Sequence, residues 1–134
     1  MPEWSPETTV LGDAAARPSD RIDVIAVPGP MAVEFECGEL TAVCPVTEQR
    51  DFYDATIGFA ARRWTIESKT LKLYLATFVD RCVFAEHLGH EIAGHLASHV
   101  EVPVTVTLRQ HVRGGIRETV TVTVEPASSA YSPE

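Results

Sequence analysis

Two segments near the end of the chain alternate valine with threonine. Residues 102–108 read VPVTVTL, and residues 119–124 read TVTVTV. Alternation with a period of two places the valines of a strand on one face and the threonines on the other. The segment Arg113-Gly114-Gly115-Ile116 lies between them, so the sequence predicts a β-hairpin with a longer connecting loop. The fold must therefore cover one apolar face of an antiparallel sheet.

The middle of the chain supplies two helices that can cover such a face. Residues 69–78 and residues 84–100 carry apolar side chains at helical spacing. These positions are Leu71, Tyr74, Leu75 and Phe78 in the first segment and Leu88, Ile92, Leu96 and Val100 in the second. Ser68 precedes the first segment and is a suitable N-cap for it.

Four β-rich segments precede the helices, at residues 22–27, 31–37, 52–61 and 64–66. Residues 38–50 contain Pro45 and several polar residues, so we expect a loop there. Strands and helices in separate blocks are typical of an α+β domain with an antiparallel sheet and both helices on one face. In a monomer, the valine–threonine strands would leave unpaired backbone N–H and C=O groups at the sheet edge. We therefore expect sheets to associate edge to edge into an oligomer.

The length of 134 residues is enough for one compact domain. Apolar periodicity is confined to the middle of the chain. We therefore expect a flexible extension over residues 1–21, a single domain over residues 22–125 and a flexible tail over residues 126–134.

The charge and the cysteine count narrow the class of protein. The 11 Lys and Arg against 19 Asp and Glu give a net charge of −8, which disfavours nucleic acid and anionic membranes as partners. No apolar run approaches the roughly 20 residues of a membrane helix, and the acidic start of the chain is unlike a signal peptide. Three cysteines are too few for a disulfide framework, so we expect a reducing, cytoplasmic location.

Cys44 is the first candidate for chemistry. It stands in the predicted loop, where a thiol can be exposed and ionised and can act as a nucleophile. Asp51 follows seven residues later and can return to it as a proton donor or base. On spacing alone the alternative is a small buried cysteine, which is the commoner role of a single cysteine.

Lys69 and Lys72 lie one turn apart near the start of the first predicted helix. A phosphate can be held there by the positive charges and the backbone amides together. Two cations at a helix N-terminus are mildly unfavourable without an anion, which favours a bound phosphate. Ordinary surface lysines are the alternative.

Four histidines lie along the second predicted helix: His87, His90, His95 and His99. His90 and His95 are five residues apart and not four as in zinc proteases, so their imidazoles point roughly 140° apart. We therefore expect no metal site. A zinc site that adds Cys82 or Glu86 is the alternative.

Four short segments follow one another as they do in one known family. They are residues 44–52 (CPVTEQRDF), 67–74 (ESKTLKLY), 84–86 (FAE) and 113–116 (RGGI). The first resembles a Cys-Pro-x-Thr-Gly-Gln-x-Asp-Phe nucleophile segment, and the others resemble a Glu-Ser/Leu-Lys signature, a Phe-x-Glu element and an Arg-Gly-Gly-Ile segment. On these motifs the chain resembles the short, single-module branch of the QueF family, the NADPH-dependent 7-cyano-7-deazaguanine (preQ0) reductases of queuosine biosynthesis.

The resemblance implies the tunnelling fold of GTP cyclohydrolase I, in which each subunit has an antiparallel sheet backed by two helices. It also implies pentameric rings, stacked as a decamer, with active sites between subunits. The implied reaction reduces preQ0 to its aminomethyl product, preQ1, with two NADPH and a thioimide on cysteine. The product would serve tRNA modification or a related deazapurine pathway.

The resemblance further implies a role for each matching residue. Cys44 would be the nucleophile and Asp51 the acid that protonates the nitrile nitrogen. The implied substrate-binding residues are Ile66, Glu67, Ser68, Ala85 and Glu86, with the two glutamates accepting hydrogen bonds from the ring N–H and amino groups. The implied ligands of the NADPH phosphates are Lys69, Lys72 and Arg113, and no metal is implied.

Three positions depart from the family pattern. Glu48 replaces a glycine, Arg50 replaces a proline, and Ala85 replaces the histidine that precedes the substrate-binding glutamate. The missing imidazole predicts slower turnover of preQ0 or a substrate with an extra substituent. The alternatives are a QueF-like amidinotransferase that acts on a nitrile base in tRNA without NADPH, and a non-catalytic tunnelling-fold protein that binds a purine or pterin.

Overall fold

A computed structural model describes residues 17–127. The part of the predicted extension up to residue 16 and the part of the predicted tail from residue 128 lie outside these residues. The elements are β1 (Val24–Ala26), β2 (Met31–Val43), β3 (Arg50–Ala61), β4 (Trp64–Ile66), α1 (Ser68–Leu75) with a 3₁₀ turn (Ala76–Phe78), α2 (Ala85–Val100), β5 (Val104–Gln110) and β6 (Thr119–Val124). The expected α+β class is confirmed.

The main sheet has four antiparallel strands in the order β2-β3-β5-β6. The predicted hairpin of β5 and β6 is present, with Val106 opposite Val122 and Thr107 opposite Thr121. The valines of β5 are fully buried, and the hydroxyls of Thr105 and Thr123 lie 2.7 Å apart on the other face. Period-two alternation therefore separates the core from the polar face, as expected.

Helix α2 covers the valine face of the hairpin. Its four periodic residues, Leu88, Ile92, Leu96 and Val100, are all completely buried. Gly89 allows the close approach, because a Cβ there would lie 3.4 Å from a methyl carbon of Val122. Within residues 17–127, neither helix is long and apolar enough to cross a membrane.

Strand β2 is longer than predicted, so the expected loop over residues 38–50 is wrong for its first part. The register with β3 shifts between Cys37 and Leu40, which is a β-bulge. Beyond the bulge, Leu40 and Ala42 return to the buried face of the sheet. The bulge interrupts the two-residue alternation, which is why the sequence pattern ended the strand too early.

The start of α1 also differs from the prediction. Its N-cap is Glu67 and not Ser68, which is the first helical residue. The two Glu67 carboxylate oxygens accept hydrogen bonds from the backbone N–H groups of Lys69 and Thr70, both at 2.8 Å. The described end of the predicted extension packs against the domain, because His95 Nε2 donates to the Asp20 carbonyl at 2.7 Å.

Candidate active site

The hairpin of β2 and β3 brings Cys44 and Asp51 to the same end of the sheet. Ala42 is the cross-strand partner of Asp51, and Cys44 follows Ala42 by two residues. Diagonal neighbours of this kind lie about 7–8 Å apart between their Cα atoms. The Cys44 N–H donates to the Gln49 carbonyl at 2.8 Å, which closes the loop between the strands. We call residues 44–49 the nucleophile loop.

The nucleophile loop activates the thiol of Cys44. Hydrogen bonds from the Thr47 hydroxyl, the Thr47 backbone N–H and the Val46 backbone N–H lower the pKa of Cys44. The negative charge of Asp51 acts weakly in the opposite direction. The side chain is half-buried, and the donors stabilise the thiolate, which is the nucleophilic form.

Asp51 is buried and forms an ion pair with Arg113. Its Oδ1 atom accepts a hydrogen bond from Arg113 Nη1 at 2.5 Å, and 6% of the Asp51 residue is exposed. In this structure the side chain of Arg113 thus bonds to Asp51, and its binding of cofactor phosphates stays a prediction. A buried carboxylate without a cationic partner would be costly, so the guanidinium is committed to Asp51.

Helix α2 presents Glu86 beside the same end of the sheet, where it meets Glu118. A hydrogen bond between the two carboxyl groups lowers the pKa of Glu86 and raises the pKa of Glu118. Glu86 therefore gives up its proton at a lower pH than Glu118 does. Glu118 directly precedes β6, where its carbonyl accepts from the Gln110 N–H at 2.9 Å.

Tyr53 lies on the buried face of β3, two residues after Asp51. Its hydroxyl has no hydrogen-bond partner among the described residues, and burial raises its pKa, with smaller contributions from the charges of Asp51 and Glu118. No sequence motif points to a role for Tyr53 or Glu118. The period-two spacing from Asp51 could have identified Tyr53, but no local pattern links Glu118 to Glu86.

Within one chain, the site residues that the resemblance implies at the start of α1 lie far from Cys44. The Glu67 N–H donates to the Asp23 carbonyl of the segment before β1, at 2.9 Å. The chain beyond α1 reaches Arg81, whose carbonyl accepts from the N–H of Val43, next to Cys44. Helix α1 alone is about 12 Å long, so one chain does not bring Glu67 and Cys44 together.

The histidines of α2 do not form a metal site. Among residues 17–127, no three His, Cys, Asp or Glu side chains converge where they could hold a metal ion. His95 stacks on Tyr74 with ring centroids 4.5 Å apart, and His99 Nδ1 lies 2.8 Å from the His95 carbonyl. This packing and this hydrogen bond give His95 and His99 structural roles.

A family model described as QueF-like protein matches residues 50–129 of this chain. The match covers more than half of the sequence and includes Asp51, Glu86 and Arg113. The chain belongs to the QueF family.

Curated QueF relatives agree with this assignment. A protein of Rhodopseudomonas palustris, named NADPH-dependent 7-cyano-7-deazaguanine reductase, is 39% identical over 98 residues, which are 68% of this chain and 62% of that protein. The chain thus spans about three fifths of that relative. A protein of the same name from Frankia casuarinae is 34% identical over 110 residues, which are 81% of this chain and 88% of that protein.

A crystal structure described as the archaeosine synthase QueF-Like in the apo form shares the fold. The superposition has a TM-score of 0.63 at 16% sequence identity and covers 76% of this chain and 99% of that chain. The expected tunnelling fold of the subunit is thereby confirmed.

One departure from the QueF pattern coincides with backbone strain. Glu48, which replaces the family glycine, has a φ angle of +61°. This left-handed region favours glycine, so the nucleophile loop keeps the conformation that a QueF glycine would adopt without cost.

The other implied substrate-binding residues differ in their exposure to solvent. Ala85 is buried in the core at the first residue of α2, so its methyl group is not presented at the surface where Glu86 is exposed. The Ile66 side chain is also buried, and Ser68 is exposed. The side chains of Ala85 and Ile66 therefore pack in the core of this chain, and their contact with a substrate stays a prediction.

Lys72 lines a groove of about 940 Å³ between β2 and α1. The walls are mostly apolar side chains, including Phe35, Leu40, Leu71 and Leu75. The backbone amides at the start of α1 are already occupied by Glu67. The N–H groups of Lys69 and Thr70 are therefore not open to a phosphate, and Lys69 and Lys72 as phosphate ligands stay a prediction.

Proposed function

We propose that this QueF protein is a nitrile reductase that converts 7-cyano-7-deazaguanine (preQ0) into its 7-aminomethyl product (preQ1) with NADPH. The observation that carries the proposal is the activated thiol of Cys44 at the same end of the β2–β3 hairpin as Asp51. The names of the curated relatives supply the substrate and the cofactor. A nitrile carbon is an electrophile that a thiolate can attack.

Cys44 performs the first step. Its sulfur forms a bond to the nitrile carbon, and one π-electron pair of the nitrile moves to nitrogen, which takes up a proton. The product is a covalent thioimide. Hydrogen bonds from the nucleophile loop keep a larger fraction of Cys44 as thiolate than an ordinary thiol would have.

Asp51 moves the proton in this step. As the carboxylate partner of Arg113, it can accept the proton that leaves the sulfur and deliver it to the nitrile nitrogen. The addition of Cys–SH across the nitrile is then balanced without an outside acid.

The glutamates recognise the base. Glu86, the more acidic carboxyl of the pair, accepts hydrogen bonds from the ring N–H and the exocyclic amino group of the deazaguanine. Glu67 performs the same function with its remaining lone pairs, because each of its oxygens accepts one backbone N–H. A base without these donors would leave carboxylates unpaired and would be rejected.

The lysines of α1 fit the cofactor. NADPH supplies the hydride when it is bound. Lys69 and Lys72 are three residues apart on α1, so their ammonium groups can hold phosphates on one helix face. Lys72 lines a groove with apolar walls, which can accept the flat rings of a nucleotide.

The complete site requires a second copy of the chain. Glu67 and Lys69 lie at the start of α1, away from Cys44, so the substrate would lie between one subunit's nucleophile loop and its neighbour's α1. We propose edge-to-edge assembly into pentameric rings that stack as a decamer. The three free cysteines fit a cytoplasmic location and a small-molecule pathway that leads to modified tRNA.

The test mixes the protein with preQ0 and NADPH and follows the loss of NADPH absorbance. We expect two NADPH consumed for each preQ0 and, without NADPH, an added mass on the intact protein. Cys44→Ala should show neither, whereas Cys82→Ala, the matched control at an exposed cysteine, should retain both. An adduct without any NADPH consumption would contradict the reductase and favour the transferase alternative.

A further inference from the structure

The side chain of Arg113 bridges the two parts of the nucleophilic machinery. Its Nη1 atom donates to Asp51 Oδ1 at 2.5 Å and to the Arg50 carbonyl at 3.1 Å. Its Nη2 atom donates to Thr47 Oγ1 at 3.4 Å and to Gln49 Oε1. One guanidinium therefore joins Asp51 to the loop that carries Cys44.

The backbone structure around Arg113 directs its side chain toward Asp51. Arg113 and Ile116 exchange two backbone hydrogen bonds of 3.0 Å across Gly114 and Gly115. Both glycines have positive φ angles, +58° and +79°, which is the requirement of a type I′ turn. The His111 N–H donates to the Phe52 carbonyl at 2.8 Å and ties the base of this turn to β3.

The geometry leaves little of the guanidinium for a phosphate. Both terminal nitrogens of Arg113 are in use, and the side chain is two-thirds buried, with 33% exposed. Binding a phosphate with these nitrogens would take the cation away from the buried carboxylate of Asp51 and release the nucleophile loop.

We propose that Arg113 is a positioning residue for the attack of Cys44, and not a ligand of the cofactor phosphates. The guanidinium holds Asp51 and Thr47 in one fixed arrangement, and Thr47 in turn donates to the Cys44 sulfur. The arrangement keeps the proton acceptor, Asp51, and the nucleophile, Cys44, in a fixed relative position. This assignment of Arg113 rests on the proposed function for its substrate.

The test compares Arg113→Lys and Arg113→Ala with Arg117→Ala, an exposed arginine of the same loop. The rate of adduct formation between Cys44 and preQ0, measured without NADPH, should fall on the order of tenfold to a hundredfold in both Arg113 variants. Lysine keeps the charge, but one ammonium cannot bridge as a planar fork does. The KM for NADPH should stay near that of the wild type, as should both quantities in Arg117→Ala.

Two results would overturn the proposal. One is a raised KM for NADPH in Arg113→Ala with a normal rate of adduct formation, and the other is a normal rate in Arg113→Lys. Thermal unfolding identifies any variant that does not fold, and Arg113→Lys carries the test if Arg113→Ala fails. Alkylation of Cys44 by iodoacetamide needs no nitrile substrate, so it separates this proposal from the proposed function. We expect slower alkylation in Arg113→Lys even if the wild type forms no preQ0 adduct, and an unchanged rate would contradict the positioning role.

Discussion

At the scale of single residues, hydrogen-bond donors and not burial lower the pKa of Cys44. The Thr47 hydroxyl makes the largest contribution to its lowered pKa, and burial acts in the opposite direction. A hydrogen bond to the charged form of a group favours that form. Thr47 is therefore the residue that most favours the thiolate form of Cys44.

Thr47→Val should raise the pKa of Cys44 toward its ordinary value, because the side-chain donor to the thiolate is lost while the volume is kept. The rate of alkylation by iodoacetamide, measured as a function of pH, should then rise at higher pH than in the wild type. A background of Cys37→Ala and Cys82→Ala leaves Cys44 as the only thiol.

Thr121→Val provides the matched control for this experiment, since Thr121 lies on β6 and its hydroxyl contacts Thr107. Its pH profile should superimpose on that of the parent. A Thr47→Val profile that does the same would show that the hydroxyl does not stabilise the thiolate.

At the scale of elements, the nucleophile loop has a conformation that its own sequence disfavours. The Glu48 N–H donates to the Cys44 carbonyl at 2.9 Å, and Glu48 adopts a φ angle of +61°. A left-handed conformation costs a residue with a Cβ atom roughly 1–2 kcal/mol. The turn between β2 and β3 therefore holds Glu48 in a strained conformation.

Glu48→Gly should increase the free energy of unfolding by about 0.5–1 kcal/mol. Glycine relieves the strain, and the larger entropy of its unfolded chain offsets part of the gain. Urea denaturation measures the difference. Glu36→Gly, in β2 and without a positive φ angle, should be destabilising, and a loss of stability in Glu48→Gly would contradict the strain argument.

The elements themselves were predictable to different degrees. Helix α2 and the β5–β6 hairpin followed from periodicity, because one face of each is buried along its whole length. Strand β2 did not, since its bulge after Cys37 shifts the alternation by one residue. The N-cap of α1 was placed one residue late because Ser68 is a common cap, whereas the longer Glu67 side chain reaches both amides.

At the scale of the whole molecule, the predicted site residues fall into two groups. Cys44, Asp51 and Glu86 lie at one end of the main sheet, whereas Glu67 and Lys69 lie at the start of α1, where the Glu67 N–H donates to the Asp23 carbonyl. Residues of one site on separate parts of a subunit are expected when identical subunits form it together.

Co-expression of Cys44→Ala with the double variant Lys69→Ala/Lys72→Ala should restore reductase activity. In randomly mixed rings, roughly a quarter of the interfaces join an intact Cys44 to intact lysines of the neighbour. Each variant carries its own tag, so that mixed oligomers can be purified. Their rate of NADPH oxidation gives the result.

Cys44→Ala mixed with Asp51→Asn is the control, because both changes lie on the same hairpin of one chain. This pair should remain inactive. If the activity of the mixture with the lysine variant also stayed at the average of the two parent activities, the nucleophile and the cofactor site would belong to a single subunit.

The sequence by itself determined the α+β class, the helices and the hairpin, and it singled out Cys44 and Asp51 as candidates for a nucleophile and its proton partner. These features depend on periodicity and on separations of a few residues, which are local properties of the chain. Only the tertiary structure decided the partner of Arg113, which bonds to Asp51 from 62 residues away, and the meeting of Glu86 with Glu118. It also decided that Ala85 points into the core. Such contacts depend on which distant elements pack together, because the same side chain can serve a phosphate or a carboxylate according to what the fold brings within its reach.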